Sequence, residues 1–167
     1  GTGNIAPGEE TRKRYQGETV GAPPTWSQLG YTFAGWYTEK TGGTKIEIAD
    51  FDTLSVTENT TFYARSNKNI YTITFDKNDG STTPFHTESV GYAEVIPVPS
   101  PEPDRGPSYK FLGWASTKTA TTPDFTGSTR ATEDKTYYAV WETKVAVKYY
   151  ANDGSTTPWK TEYYSAG

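Results

Sequence analysis

Tyr71-Thr-Ile-Thr-Phe-Asp-Lys-Asn-Asp-Gly-Ser-Thr-Thr-Pro84 decides the fold. Tyr71, Ile73 and Phe75 alternate with Thr72 and Thr74, the period of a strand with one face buried and the other wet. Asn78, Asp79 and Gly80 follow, residue types that tolerate positive φ, so the run predicts a strand entering a hairpin. Asn-Asp-Gly-Ser-Thr-Thr-Pro returns at 152–158, 74 residues on, behind a second alternating run of Val145, Val147 and Tyr149. Phe-x-Gly-Trp stands at 33–36 and 111–114, and Thr-x-Tyr-Ala at 61–64 and 136–139, offsets of 78 and 75 residues. Three matches in one order define an internal repeat, which governs the reading of the fold.

The repeat divides the chain into residues 1–66, a copy without its first strand; 67–142, a complete copy; and 143–167, the opening hairpin of a further copy. The expected unit is strand, hairpin, strand, Pro-rich crossover, strand, polar loop, strand. Tyr15, Phe85 and Trp159 each precede a Glu by three positions, which predicts the second strand of each unit with the aromatic turned inward. The connectors at 22–26 and 97–107 are rich in Pro, which donates no hydrogen bond and fixes φ. The second measures eight residues longer, from the spacings Val20 to Phe33 and Val90 to Phe111, and has room for one helical turn. Gly35 and Gly113, each before a Trp, mark a bulge or a close backbone approach. Trp36 and Trp114 recur in the motif and are expected in the core. Trp141 is expected at a junction, with short linkers restricting successive units. The expected class is a β-rich α+β fold with little helix.

Twenty-five aromatics (13 Tyr, 7 Phe and 5 Trp) must supply most of the core of such small units. No Cys is present to staple them. A net charge of −4 with mixed signs argues against a nucleic-acid partner, and no apolar run reaches the length of a membrane-spanning helix.

Tyr71-Thr-Ile-Thr-Phe-Asp-Lys-Asn-Asp-Gly80, Gly30-Tyr-Thr-Phe-Ala-Gly-Trp-Tyr37 and Val56-Thr-Glu-Asn-Thr-Thr-Phe-Tyr-Ala64 together resemble the Listeria–Bacteroides repeat of internalin-type B repeats and other bacterial surface proteins. The resemblance covers nearly the whole chain. It implies tandem small β-grasp-like modules, extracellular on the bacterial cell surface, wall-attached or secreted, acting as spacer and adhesion segments. It brings no catalytic residues and no cofactor. The expected partners are neighbouring repeats of the same protein, with host glycan or protein as a further class. Asn-Asp-Gly in place of the more common Asn-Gly-Gly is a departure.

Residues 76–80 suggest a calcium loop, but the acids fall one residue short of EF-hand spacing and Tyr150 replaces Asp76 in the second loop. The reading is a hairpin turn, with no metal. His86, the single histidine, has Gln16 and Lys160 as its sequence counterparts and reads as a solvated strand residue. The pairs Asp50/Asp52 and Glu133/Asp134 read as solvated turn acids rather than a glycosidase pair. Asn59-Thr-Thr61 fits a glycosylation acceptor that a bacterial protein leaves unused. Trp26, without an aromatic counterpart, and Trp159, in a repeat that stops short, are the candidate ligand-binding residues. Because the first copy lacks a strand and residues 145–149 supply one, completion of the first copy by the tail, within one chain or by strand exchange between two, is a further expectation.

Overall fold

The structure, a computed structural model, describes residues 4–5 and 11–165. The chain forms two compact units, Gly1–Asn69 and Ile70–Gly167. The first carries β1 (Asn4–Ile5), β2 (Trp26–Ser27), β3 (Tyr31–Tyr37), β4 (Lys45–Ile46) and β5 (Tyr63–Lys68). The second carries β6 (Ile70–Asp76), β7 (His86–Gly91), β8 (Tyr109–Ala115), β9 (Lys135–Tyr149) and β10 (Lys160–Ser165). A 3-10 helix at Ile48–Asp52 is the only helix among the described residues, so the fold is β-rich. It lies in the polar loop of the first unit, not in the second connector. There Pro97, Pro99, Pro101, Pro103 and Pro107 leave too few N–H donors for a helical turn.

In the second unit the strand order is β7-β6-β9-β8, with β6 and β9 parallel at the centre and both outer pairs antiparallel. The alternation read in β6 is real: Ile73 and Phe75 are wholly buried. Phe75 sits edge-on to Trp114 at 4.9 Å and Phe125 at 5.5 Å and stacks on Tyr137 at 5.7 Å. Phe85 lies inward, 5.7 Å from Trp114. The hairpin after β6 is closed by a nine-residue loop, 77–85, rather than a tight turn. Asn78 takes a φ of 56°, and its side-chain amide donates to the carbonyls of Lys118 and Ala139, pinning the loop to the sheet.

In the first unit β3 pairs antiparallel with β4 and β5, and β1 pairs with β2. The ring pairs of the two units correspond. Phe33 meets Trp36 at 5.8 Å as Phe111 meets Trp114 at 5.2 Å. Phe51 meets Phe62 at 5.1 Å as Phe125 meets Tyr137 at 4.7 Å. Trp36 and Trp114 are both core residues.

The structure moves one sequence alignment. Gly17 N–H donates to Val56, Val20 N–H to Leu54, and Val56 N–H to Glu18. Ala93, Ile96 and Ala131 do the same with Ala131, Thr129 and Glu94. Tyr15 N–H and Gly91 N–H likewise meet the Glu18 and Glu94 carboxylates. Residues 15–20 therefore correspond to 91–96, the end of the second strand and the turn beyond it, and the described residues that match β7 are 11–15. The aromatic-before-Glu match misled because Glu18 serves a turn while Glu88 lies in a strand. Tyr15 is accordingly 82% exposed, not inward. Measured from Val20 and Ile96, the connectors differ by only two residues.

β9 also departs from expectation. It runs unbroken through Trp141 and on to Tyr149, so the short linker expected near residue 143 is strand. Trp141 packs on the core of the second unit, 5.5 Å from Phe111, and its indole N–H donates to the Lys77 carbonyl at 2.7 Å. Beyond Thr143, β9 pairs antiparallel with β10. Glu162 on β10 is held down to about 2 by Lys160 at 2.5 Å and the Tyr164 hydroxyl at 2.6 Å.

Both motif glycines stand at register shifts, with φ of 138° at Gly35 and 140° at Gly113. A Cβ on Gly113 would meet the Pro123 ring at 2.8 Å, whereas one on Gly35 would meet the flexible tip of Lys45. Gly113→Ala is expected to lower the stability of its unit by about 1–3 kcal/mol, more than Gly35→Ala lowers that of its own, as urea denaturation would measure. Phe75→Ala should cost about 3–5 kcal/mol by the same measurement. The depressed Glu162 carboxyl predicts a contribution to the hairpin that is complete above about 4.5 and lost as pH falls through about 2. A carboxyl-carbon NMR titration of Glu162 checks it.

Candidate functional site

The first unit contains a cavity of about 710 Å³. One wall is residues 11–14 and the other residues 58–62, with Trp36, Phe51 and Val56 between. The two walls have exact structural meaning in the second unit. Their counterparts, residues 87–90 and 133–137, belong to β7 and to the turn and start of β9, the strands on either side of β6. The cavity is thus the place that β6 fills in the second unit. Residues 60–62 form no ladder with any described strand, whereas their counterparts 135–137 pair with β6.

The cavity is only partly covered. Val20, Val56 and Phe62 are half-buried, while their counterparts Ile96, Ala131 and Tyr137 are buried. Trp36 is buried, yet its indole N–H finds no acceptor among the described residues. Sequence reading did not find the cavity, because it placed residues 15–20 on the second strand. The three-residue reach from Glu18 back to its turn was the available signal.

The two sequence-derived candidates lie far apart in character. Trp26 sits on β2, half-buried, with its ring 5.6 Å from Phe33. Much of its face is therefore already engaged. Trp159 is 76% exposed, next to the start of β10. They belong to different units.

The other candidates resolve into structural roles. The register pairs His86 with Phe75, so the imidazole lies at the edge of the apolar face, not on the polar one. It is half-buried, 3.3 Å from the Glu88 carboxylate. Asp134 accepts the Thr72 backbone N–H at 2.7 Å, a strand-to-turn clasp. Asp76 accepts the N–H of Asn78, and Asp79 that of Ser81, as turn residues do. Among the described residues no three His, Asp or Glu side chains gather in a way that could hold a metal ion. No helix among them is long and apolar enough to cross a membrane.

Comparison with known proteins agrees with this architecture. The model of the Listeria-Bacteroides repeat domain matches residues 2–65 and 71–140. Internalin H of Listeria monocytogenes is 39% identical over 124 residues, covering 73% of this chain and 21% of that protein. A protein of Evansella cellulosilytica named "Putative membrane protein" is 36% identical over 128 residues, covering 75% of this chain and 18% of its own length. The chain thus spans about a fifth of the length of these relatives. No solved structure matches. With one match on each structural unit, the chain belongs to the Listeria–Bacteroides repeat family and carries its domain in tandem.

Proposed function

We propose that the chain is a spacer and adhesion segment of a bacterial cell-surface protein, built from β-grasp-like repeats and without catalytic activity. The carrying observation is that the side chains recurring between the units are packing residues. Phe33/Phe111, Trp36/Trp114, Phe51/Phe125 and Phe62/Tyr137 form matched ring pairs. A repeat whose shared residues are spent on its core serves by being rigid and repeatable. The central parallel pair and the crossover from β7 to β8 support the β-grasp-like reading of the complete unit.

Continuity along the chain supports the spacer role. The repeat of residues 67–142 passes into the next hairpin along β9 with no intervening loop. Stability in such arrays comes from each unit and its neighbour contacts, and neighbouring repeats are the partners this reading names. The relatives carry the module within much longer chains, which supports recognition by other parts of the parent protein.

A second reading rests on Trp159. Its 76% exposure, with exposed Tyr149 and Tyr164 on one face of the β9–β10 ribbon, offers aromatic faces of the kind that stack on sugars or peptides. A panel of immobilised glycans, mucin and extracellular-matrix proteins, followed by Trp fluorescence on any hit, separates the two readings. The spacer reading expects no saturable binding. A hit abolished by Trp159→Ala or Trp26→Ala, with circular dichroism unchanged, would transfer the function to ligand recognition.

A further inference from the structure

The cavity of the first unit has a matching occupant elsewhere on the chain. In the second unit its place is taken by Phe75, held by Trp114, Phe125 and Tyr137. The counterparts of these three rings, Trp36, Phe51 and Phe62, all line the cavity. The ribbon of β10 with the far half of β9 repeats the β6–β7 hairpin in register. Tyr149 faces Lys160 as Phe75 faces His86, and Lys144 faces Ser165 as Ile70 faces Gly91. Its apolar face is uncovered: Val145 is 53% exposed, Val147 38%, Tyr149 44% and Trp159 76%.

We propose that this hairpin of a second copy docks in the cavity, adding residues 145–149 as a strand parallel to residues 60–63. The β6–β9 register sets Val147 opposite Thr60, Lys148 opposite Thr61 and Tyr149 opposite Phe62. Tyr149 then occupies the place of Phe75, and Trp159 packs on Trp36 as Phe85 packs on Trp114. The Ala146 N–H meets Asn59 as the Thr72 N–H meets Asp134. Residues 11–14, exposed and in no ladder with a described strand, give way to β10. Main-chain pairing supplies affinity and the alternate side chains supply register, the logic of strand addition.

The cavity and the hairpin belong to different units of the chain, so the contact is heterologous and joins copies head to tail. The match lies in residue order, ring positions and register, which is why a second copy is the occupant. The proposal stands whether or not the array serves as a spacer.

Two experiments on the full chain test it. Sedimentation equilibrium should give a mass above the 18.4 kDa of one chain, rising with concentration. The double substitution Val147→Lys, Tyr149→Asp, on a ribbon outside the core of the second unit, should return it to monomer. In the cysteine-free background, chains with Thr61→Cys and chains with Lys148→Cys are mixed and oxidised. Directly paired strand positions lie within disulfide reach, so a crosslinked heterodimer is expected, several-fold more than from Thr61→Cys mixed with Lys144→Cys. A monomer up to the highest soluble concentration overturns the proposal. So does an oligomer that survives the double substitution. Crosslinking to Thr61→Cys that is no greater from Lys148→Cys than from Lys144→Cys overturns it equally.

Discussion

One ring holds the second unit together. Phe75 is wholly buried and touches Trp114, Phe125 and Tyr137, side chains contributed by three stretches distant in sequence. Those contacts fix β6 against β8, the loop after β8 and the start of β9. In a unit of this size such a junction replaces the disulfides that other small domains use. It also accounts for the form of the sequence. Thr lies between apolar residues along β6 because only one face meets the core, and Gly113 admits Pro123 because the strand beside the ring must bend.

The first unit shows the same scaffold with that ring's place left to a cavity. Trp36 and Phe51 stay buried, and the loop hydrogen bonds around Val20 and Val56 match those of the second unit. The half-burial of Val20, Val56 and Phe62 is the local cost. Main-chain pairing follows the same division: residues 60–62, in no ladder with a described strand, are irregular, while 135–138 are strand. Strand formation here is thus a property of pairing rather than of intrinsic preference, since both stretches are rich in Thr and aromatics.

Period-2 alternation was legible in β6 and the far half of β9, as were the hairpins, the core role of Trp36 and Trp114, and the backbone constraint before each Trp. These depend on local patterns. The alignment of residues 15–20 was not legible, because aromatic-x-x-Glu spacing arises equally from a strand and from a carboxylate closing a turn. The side of the strand taken by His86 was missed for a related reason: an edge strand holds polar residues on its core-facing side. Continuity of β9 was hidden by Glu142, Thr143 and Lys144, which resemble a linker but are solvent-edge residues of one strand. The cavity follows only from knowing which strands flank β6, information that no single stretch contains.

The unbroken course of β9 sets a rule of phase for the repeat. Tyr137, Ala139 and Trp141 lie on the parity that continues into Val145, Val147 and Tyr149. One inserted residue between them would turn every following side chain to the opposite face. The corresponding stretch from Ala64 to Tyr71 is one residue longer than that from Ala139 to Val145, and there Asn69 interrupts the strand between β5 and β6. The remaining variation lies in loops: the connector differs by two residues between the units, and the stretch from Trp36 to Phe51 exceeds that from Trp114 to Phe125 by four. An extra residue at a junction is thus met by a break in the strand, and an unbroken strand admits none.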